Sequence, residues 1–162
     1  MSKLAKALTA AAGSAGGDKL YVEDVFSTYL YEGSSNPITI SNGIDFAGEG
    51  GLFWVETRNP AGQSSALLDT ERGTAQTLAT QATSGNVAIY SSKNITYNNN
   101  GVTIPADSST ATGILNFSNY SLCNWSFRKA EKFFDIVKWT GSNNSATDIG
   151  KGIVSHNLGV AP

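Results

Sequence analysis

The sequence predicts a mainly β protein, an antiparallel β-sandwich or jelly roll with a short N-terminal helix or extended arm. Three observations predict it. Only 15 % of the 162 residues are charged, against about 25 % in typical soluble domains. Ser, Thr, Asn and Gly take the missing share; Thr suits strands and the other three suit turns. Short apolar stretches follow at close spacing, each bounded by Gly, Asn or Pro, as in all-β sandwiches. The length allows a sizeable core, so neither a metal nor a disulfide is required.

Residues 2–12 read as a short helix, with Ser2 as N-cap and Leu4 and Leu8 on one face. So short a helix is marginal in water. It is expected to fray alone or to be ordered by a partner; the other reading is a disordered tail. Gly13 to Gly17 is a flexible linker. Leu20 to Tyr31 is dense in aromatic and aliphatic residues, with a strand over Val25 to Tyr31. Ile38 and Ile40 alternate with Thr39 after an Asn36-Pro37 turn, and Leu52 to Thr57 is a strong strand.

Ala66 to Asp69, Val87 to Tyr90, Ile95 to Tyr97 and Val102 to Ile104 read as short strands, with a turn at Asn98 to Gly101. Gln76 to Ala82 fits either state. Gly113 to Ser121, Leu122 to Phe127 and Phe133 to Thr140 read as strands, Gly141 to Ile149 as a polar turn region, and Ile153 to Ser155 as the start of another strand. The units expected are 1–17 as arm and linker, 18–132 as the sandwich, and 133–162 as the start of a second repeat or a connection onward.

The repeat rests on one internal likeness. Phe26 to Asn36 can be laid on Phe134 to Asn144 at an offset of 108 residues, with the aromatic start, the alternating stretch and the Gly-Ser coinciding. The second copy stops at Pro162, ahead of any counterpart of Leu52 to Thr57. It therefore reads as a truncated unit of a longer native polypeptide.

Net charge is −2 and the 11 Lys and Arg are scattered, which argues against nucleic-acid binding, since phosphate neutralisation needs clustered cations. No apolar run approaches the length of a membrane span, and Lys6 interrupts what could be a signal-peptide core. The single cysteine, Cys123, permits no intramolecular disulfide and fits assembly in a reducing cytosol. With one His, His156, and one Cys, a structural zinc site has no ligand set. Asp69, Asp107 and Asp148 could serve calcium but show no EF-hand spacing.

Four ordered motifs carry a family likeness. Gly50 to Arg58 (GGLFWVETR), Leu68 to Gly73 (LDTERG), Asn124 to Val137 (NWSFRKAEKFFDIV) and Ser155 to Pro162 (SHNLGVAP) resemble the GGLVWIKxR, LFDTxRG, WTFRKAPKFFDVV and SHNLGxAP segments of phage tail-associated modules, many of them from cyanophages. The likeness runs from about Tyr21 onward and leaves the first 17 residues unmatched; Glu131 stands where the family often has Pro. It implies a laminin-G- or concanavalin-like jelly roll in a virion structural protein. By position in the chain, it implies the N-terminal tail-attachment region of a trimeric fibre, assembled in the bacterial cytoplasm. Leu4, Leu8, Leu20, Tyr21, Val25 and Phe26 would then dock on tail or baseplate proteins.

No enzyme and no cofactor are expected. His156 lacks an activated nucleophile nearby in sequence, and no Gly-x-Ser-x-Gly elbow occurs. Cys123 reads as a buried thiol, and Asp69, Glu71 and Arg72 as a loop tie. Trp54, Trp125 and Trp139 read as core residues within strand patterns. The alternative is that they stack on sugars of a host surface glycan, in a lectin-like receptor-binding module or a small tail adaptor.

Overall fold

The computed structural model describes residues 20–34, 36–60, 65–79, 87–89, 95–106, 113–139 and 155–159. The expected helix over 2–12, with Leu4 and Leu8, and the turn region 141–149 lie outside these residues. A single helical turn, α1 (Val22–Val25), leads into β1 (Phe26–Glu32). Then come β2 (Ile38–Ser41), β3 (Gly51–Asn59), β4 (Ala66–Asp69), β5 (Gln76–Ala79), β6 (Val87–Ile89), β7 (Thr96–Asn98) and β8 (Gly101–Ile104). A second turn, α2 (Gly113–Asn116), precedes β9 (Ser121–Arg128).

The protein is mainly β, with two antiparallel sheets forming a β-sandwich. One sheet has six strands in the order β1-β9-β3-β4-β5-β6, the other three in the order β2-β8-β7. Period-two alternation decides the faces. Phe53, Val55, Ala66, Leu68 and Leu122 point inward from the large sheet, and Ile40, Val102 and Ile104 from the small one. Ile44, Phe46, Ile95 and Leu115 close the same cluster. Phe46 meets Phe53 edge-on at 6.2 Å, a favoured aromatic geometry.

A short polar chain crosses this interior. Asn42 Nδ2 donates to Ser126 Oγ (2.8 Å), Ser126 Oγ to Asn124 Oδ1 (3.1 Å), and Asn124 Nδ2 to the Trp54 carbonyl (3.2 Å). Buried polar groups are tolerated when satisfied in this way.

Two expected strands are corrected. Gly113 to Ser121 is α2 followed by a turn, with Asn119 in the left-handed region (φ 68°). The reason is Asn116, fully buried. Its Oδ1 accepts from Ser34 N (2.7 Å), and its Nδ2 donates to the Asn36 and Pro105 carbonyls (2.9 and 3.0 Å). The helical turn places this plug, and a strand cannot.

Phe133 to Thr140 is not a strand over its described part. Lys132 turns the chain at φ 63°, Ala130 and Phe134 exchange both backbone hydrogen bonds, and Phe134 then stacks on Phe127 at 5.5 Å. The two halves of the inferred repeat thus differ locally: Phe26 to Glu32 is strand β1, whereas 134–139 runs without regular structure beside the large sheet. The open Gln76 to Ala82 segment supplies β5, and α1 appears where no helix was expected.

Candidate functional site: a polar clasp beside an apolar groove

The four motifs, distant in sequence, meet at one corner. Gly51 opens β3 where its missing Cβ matters, since one would lie 2.2 Å from the Phe127 carbonyl oxygen. Thr70 N donates to the Gly51 carbonyl and Gly51 N to Thr70 Oγ1, both at 3.1 Å. Lys129 N donates to the Gly50 carbonyl (2.9 Å). Asp69, 3 % exposed, accepts from Arg72 N (2.8 Å) and Nε (2.5 Å) and pairs with the guanidinium. This is the loop tie expected from the sequence, and it occupies the one described calcium candidate. Asp107 and Asp148 lie outside the described residues.

Lys129 is the hub. Its Nζ donates to Glu71 Oε1 (2.6 Å) and lies 3.5 Å from Asp135 Oδ1. Asp135 accepts from Ile136 N (2.9 Å) and, 22 residues along the chain, from Asn157 N (2.7 Å). Lys132 N donates to the Leu158 carbonyl (2.9 Å). Gly159 sits beside the Glu131 side chain at φ +75°, where a Cβ would fall 2.6 Å from Oε1. The Ser-His-Asn-Leu-Gly segment is therefore strapped onto the turn 129–135.

The electrostatics match. The Asn157 amide, helped by Ile136 N–H and by Lys129, holds the Asp135 carboxyl below its usual range against the opposing effect of desolvation. The hydrogen bond to Glu71 chiefly raises the Lys129 ammonium, with desolvation opposing it.

The corner offers no nucleophile–base pair among the described residues. His156 Nδ1 accepts from Leu158 N (3.2 Å), a bond within its own turn. Cys123 is half-buried rather than buried, and desolvation raises its thiol. Among the described residues, no group of three or more His, Cys, Asp and Glu could hold a metal ion.

Next to the clasp runs a groove of about 780 Å³ between α1 and the turn 128–133. Leu20 and Tyr21, two of the six expected docking residues, stand exposed on it. Val25 is only 2 % exposed and forms its floor, and Phe26 stacks on Phe127 at 5.0 Å. Val25, the last residue of α1, is turned inward and offers no surface, and Phe26, the first of β1, is half-buried. Val22, 67 % exposed, and Phe133, 39 % exposed, supply apolar surface that sequence reading passed over. Arg128 Nε is buried there with no partner, and Arg128 Nη1 is 3.8 Å from Glu49.

None of the three tryptophans belongs to the core cluster. Trp54 and Trp125 pair across β3 and β9 on the outer face, 5.1 Å apart. Trp139 is 69 % exposed and borders a separate hollow of about 300 Å³ with Leu78, Ile136 and Val137. The core assignment fails for three reasons: β3 is apolar on both faces, so alternation cannot tell inside from outside; β9 turns polar Asn124 and Ser126 inward and Trp125 outward; and Trp139 lies in no strand. Lys129 and Asp135 are site residues that the sequence motifs do not single out; the alternating charges of Lys-Ala-Glu-Lys-Phe-Phe-Asp are the available signal.

Residues 22–162 match a family described as a domain of unknown function, DUF7483. No curated protein and no solved structure matches the chain.

Proposed function

We propose that this chain, which belongs to the DUF7483 family, is a non-enzymatic structural module of a bacteriophage particle, the tail-attachment end of a trimeric fibre. One observation carries the reading. The four motifs that resemble phage tail modules converge on a single corner, where Lys129, Asp135 and Asn157 strap a C-terminal segment to the sandwich. Ion pairs and amide hydrogen bonds committed to each other suit a mechanical joint between units. Among the described residues of this corner, the charged groups are paired with one another. Leu20 and Tyr21 would offer the tail or baseplate an apolar contact, and the module would be made in the host cytoplasm.

The test is composition. Particles purified by density gradient from cells expressing the gene, then analysed by mass spectrometry, should contain the chain in fixed ratio to tail proteins. Antibody to it should label the tail in electron micrographs. A chain present in the lysate but absent from such particles would sink the reading.

A second reading, binding of a host surface glycan, draws on the Trp54–Trp125 pair outside the core. Aromatic faces suit sugar stacking. Binding on a glycan array that vanishes in Trp54→Ala and Trp125→Ala would support it; no binding, or binding indifferent to both changes, would remove it.

A further inference from the structure

We infer that the hollow beside Trp139 binds a neutral saccharide, at a site separate from the Trp54–Trp125 pair. The hollow measures about 300 Å³, the small end of the range for ligand pockets, so it fits a mono- or disaccharide unit rather than a long chain. It lies on the outer side of the large sheet, where Leu78 pairs with Leu67 and Leu67 with Trp54. Ile136, Val137 and Trp139 line it from the irregular segment after β9, and Asp69, Glu71 and Arg72 from the turn after β4.

Trp139 is the residue that asks for a ligand. It is 69 % exposed, the most of any large hydrophobic among the described residues, although tryptophan is well buried on average. It belongs to no core cluster, so its ring does little for the fold.

The polar rim selects the class of ligand. The charged lining is Asp69, Glu71, Arg72 and Lys138, two of each sign, so the formal charges cancel. A phosphate or an acidic peptide calls for a surplus of cations. The rim is also held in place. Asp69 accepts from Arg72 Nε at 2.5 Å and pairs with Nη2, which fixes the plane of the guanidinium. A guanidinium has five donors, and this fork uses only part of them. Glu71 Oε1 accepts from Lys129 Nζ (2.6 Å), which leaves the carboxylate acceptor capacity, and the Glu71 side chain is 37 % exposed.

Fixed donors and acceptors beside an aromatic ring suit a molecule with hydroxyls at its edge and C–H groups on its face, since the ring face is negative. A sugar has both. A purely apolar ligand would leave the fixed polar groups unmet. Their pre-set positions lower the ordering cost of binding. The hollow stands on its own: it needs neither tail attachment nor the Trp54–Trp125 pair.

The experiment titrates the full chain with maltose, cellobiose, lactose and diacetylchitobiose to about 10 mM, well above a dissociation constant of about 1 mM, followed by tryptophan fluorescence and saturation-transfer NMR. At least one of these sugars should bind. Trp139→Ala should weaken binding at least tenfold with the thermal midpoint near wild type, because the ring is exposed. Val137→Phe, which fills the hollow and keeps the tryptophan, should do the same. Trp54→Ala and Trp125→Ala should leave this binding unchanged. Lactose carrying a sulfate should bind no tighter than lactose.

No binding by any of these sugars overturns the site, and so does binding indifferent to Trp139→Ala or to Val137→Phe. Binding lost only in Trp54→Ala or Trp125→Ala moves the sugar to the tryptophan pair and overturns the hollow. A sulfated sugar that binds tenfold tighter overturns the neutral class. Particle composition, measured separately, is untouched by any of these results.

Discussion

At the scale of single residues, the polar atoms that matter most are those whose partners lie far away in sequence. Asp135 illustrates how their worth can be read from pH. Its carboxyl is held below the usual value of 3.8 by the Asn157 amide first of all, so folding favours the ionised form. A depressed folded value means the contribution is complete above the unfolded value, about 3.9, and is lost as pH falls through the folded one. Urea midpoints measured from about pH 6 down to about pH 2 should therefore fall for wild type. Asp135→Asn should start lower and converge on wild type at the acid end. A constant gap across that range would mean that Asp135 stabilises by packing and not by charge.

Tyr31 gives a second residue-level expectation. Burial pushes its phenol well above the normal range, and its hydroxyl donates to the Leu115 carbonyl at 2.7 Å. Tyr31→Phe leaves that buried acceptor unmet and should cost about 1–2 kcal/mol, measured by urea denaturation.

At the scale of elements, most strands and the hairpin turn at Asn98 to Gly101 were legible, and the segments fastened by distant partners were not. Ala66 to Asp69 matches β4 to the residue as a short apolar run between loops, and Leu52 to Thr57 and Leu122 to Phe127 sit within β3 and β9, where aromatic residues mark strands locally. Gly113 to Ser121 misled for a physical reason. Its apolar spacing suits a strand, but the decisive residue is Asn116, whose partners Ser34, Asn36 and Pro105 lie 82, 80 and 11 positions away. No local pattern can announce them. The clasp was legible as motifs and silent as geometry, for the same reason. Asn116→Ala should cost about 2–3 kcal/mol, as the buried amide's three hydrogen bonds to part-buried backbone groups are lost, with the loss measured by urea denaturation. Gly51→Ala should cost about 3 kcal/mol by forcing β3 from the Phe127 carbonyl that it touches. An alanine at Gly51 tolerated within about 0.5 kcal/mol would show that β3 and β9 can slide apart there.

At the scale of the whole molecule, the question is which way the large sheet faces. Register answers it: Phe53 pairs with Leu68 and Ser126 on the inner side, whereas Trp54 pairs with Leu67 and Trp125 on the outer. Neighbours in sequence thus serve opposite faces, and that gives a paired measurement. Phe53 is fully buried in the core cluster, so Phe53→Ala should cost about 3–5 kcal/mol through lost transfer energy and an unfilled cavity. Trp54 is half-buried beside Trp125, and its larger ring should be worth only about 1–2 kcal/mol in the isolated chain, chiefly the aromatic pair and partial area. The smaller residue should therefore cost more than the larger one, the reverse of what side-chain size alone gives. Urea denaturation of the two variants decides it. If Trp54→Ala proves equal to or worse than Phe53→Ala, the outer face is packed as tightly as the core, and the tryptophan pair belongs to the folding of this chain rather than to anything it meets.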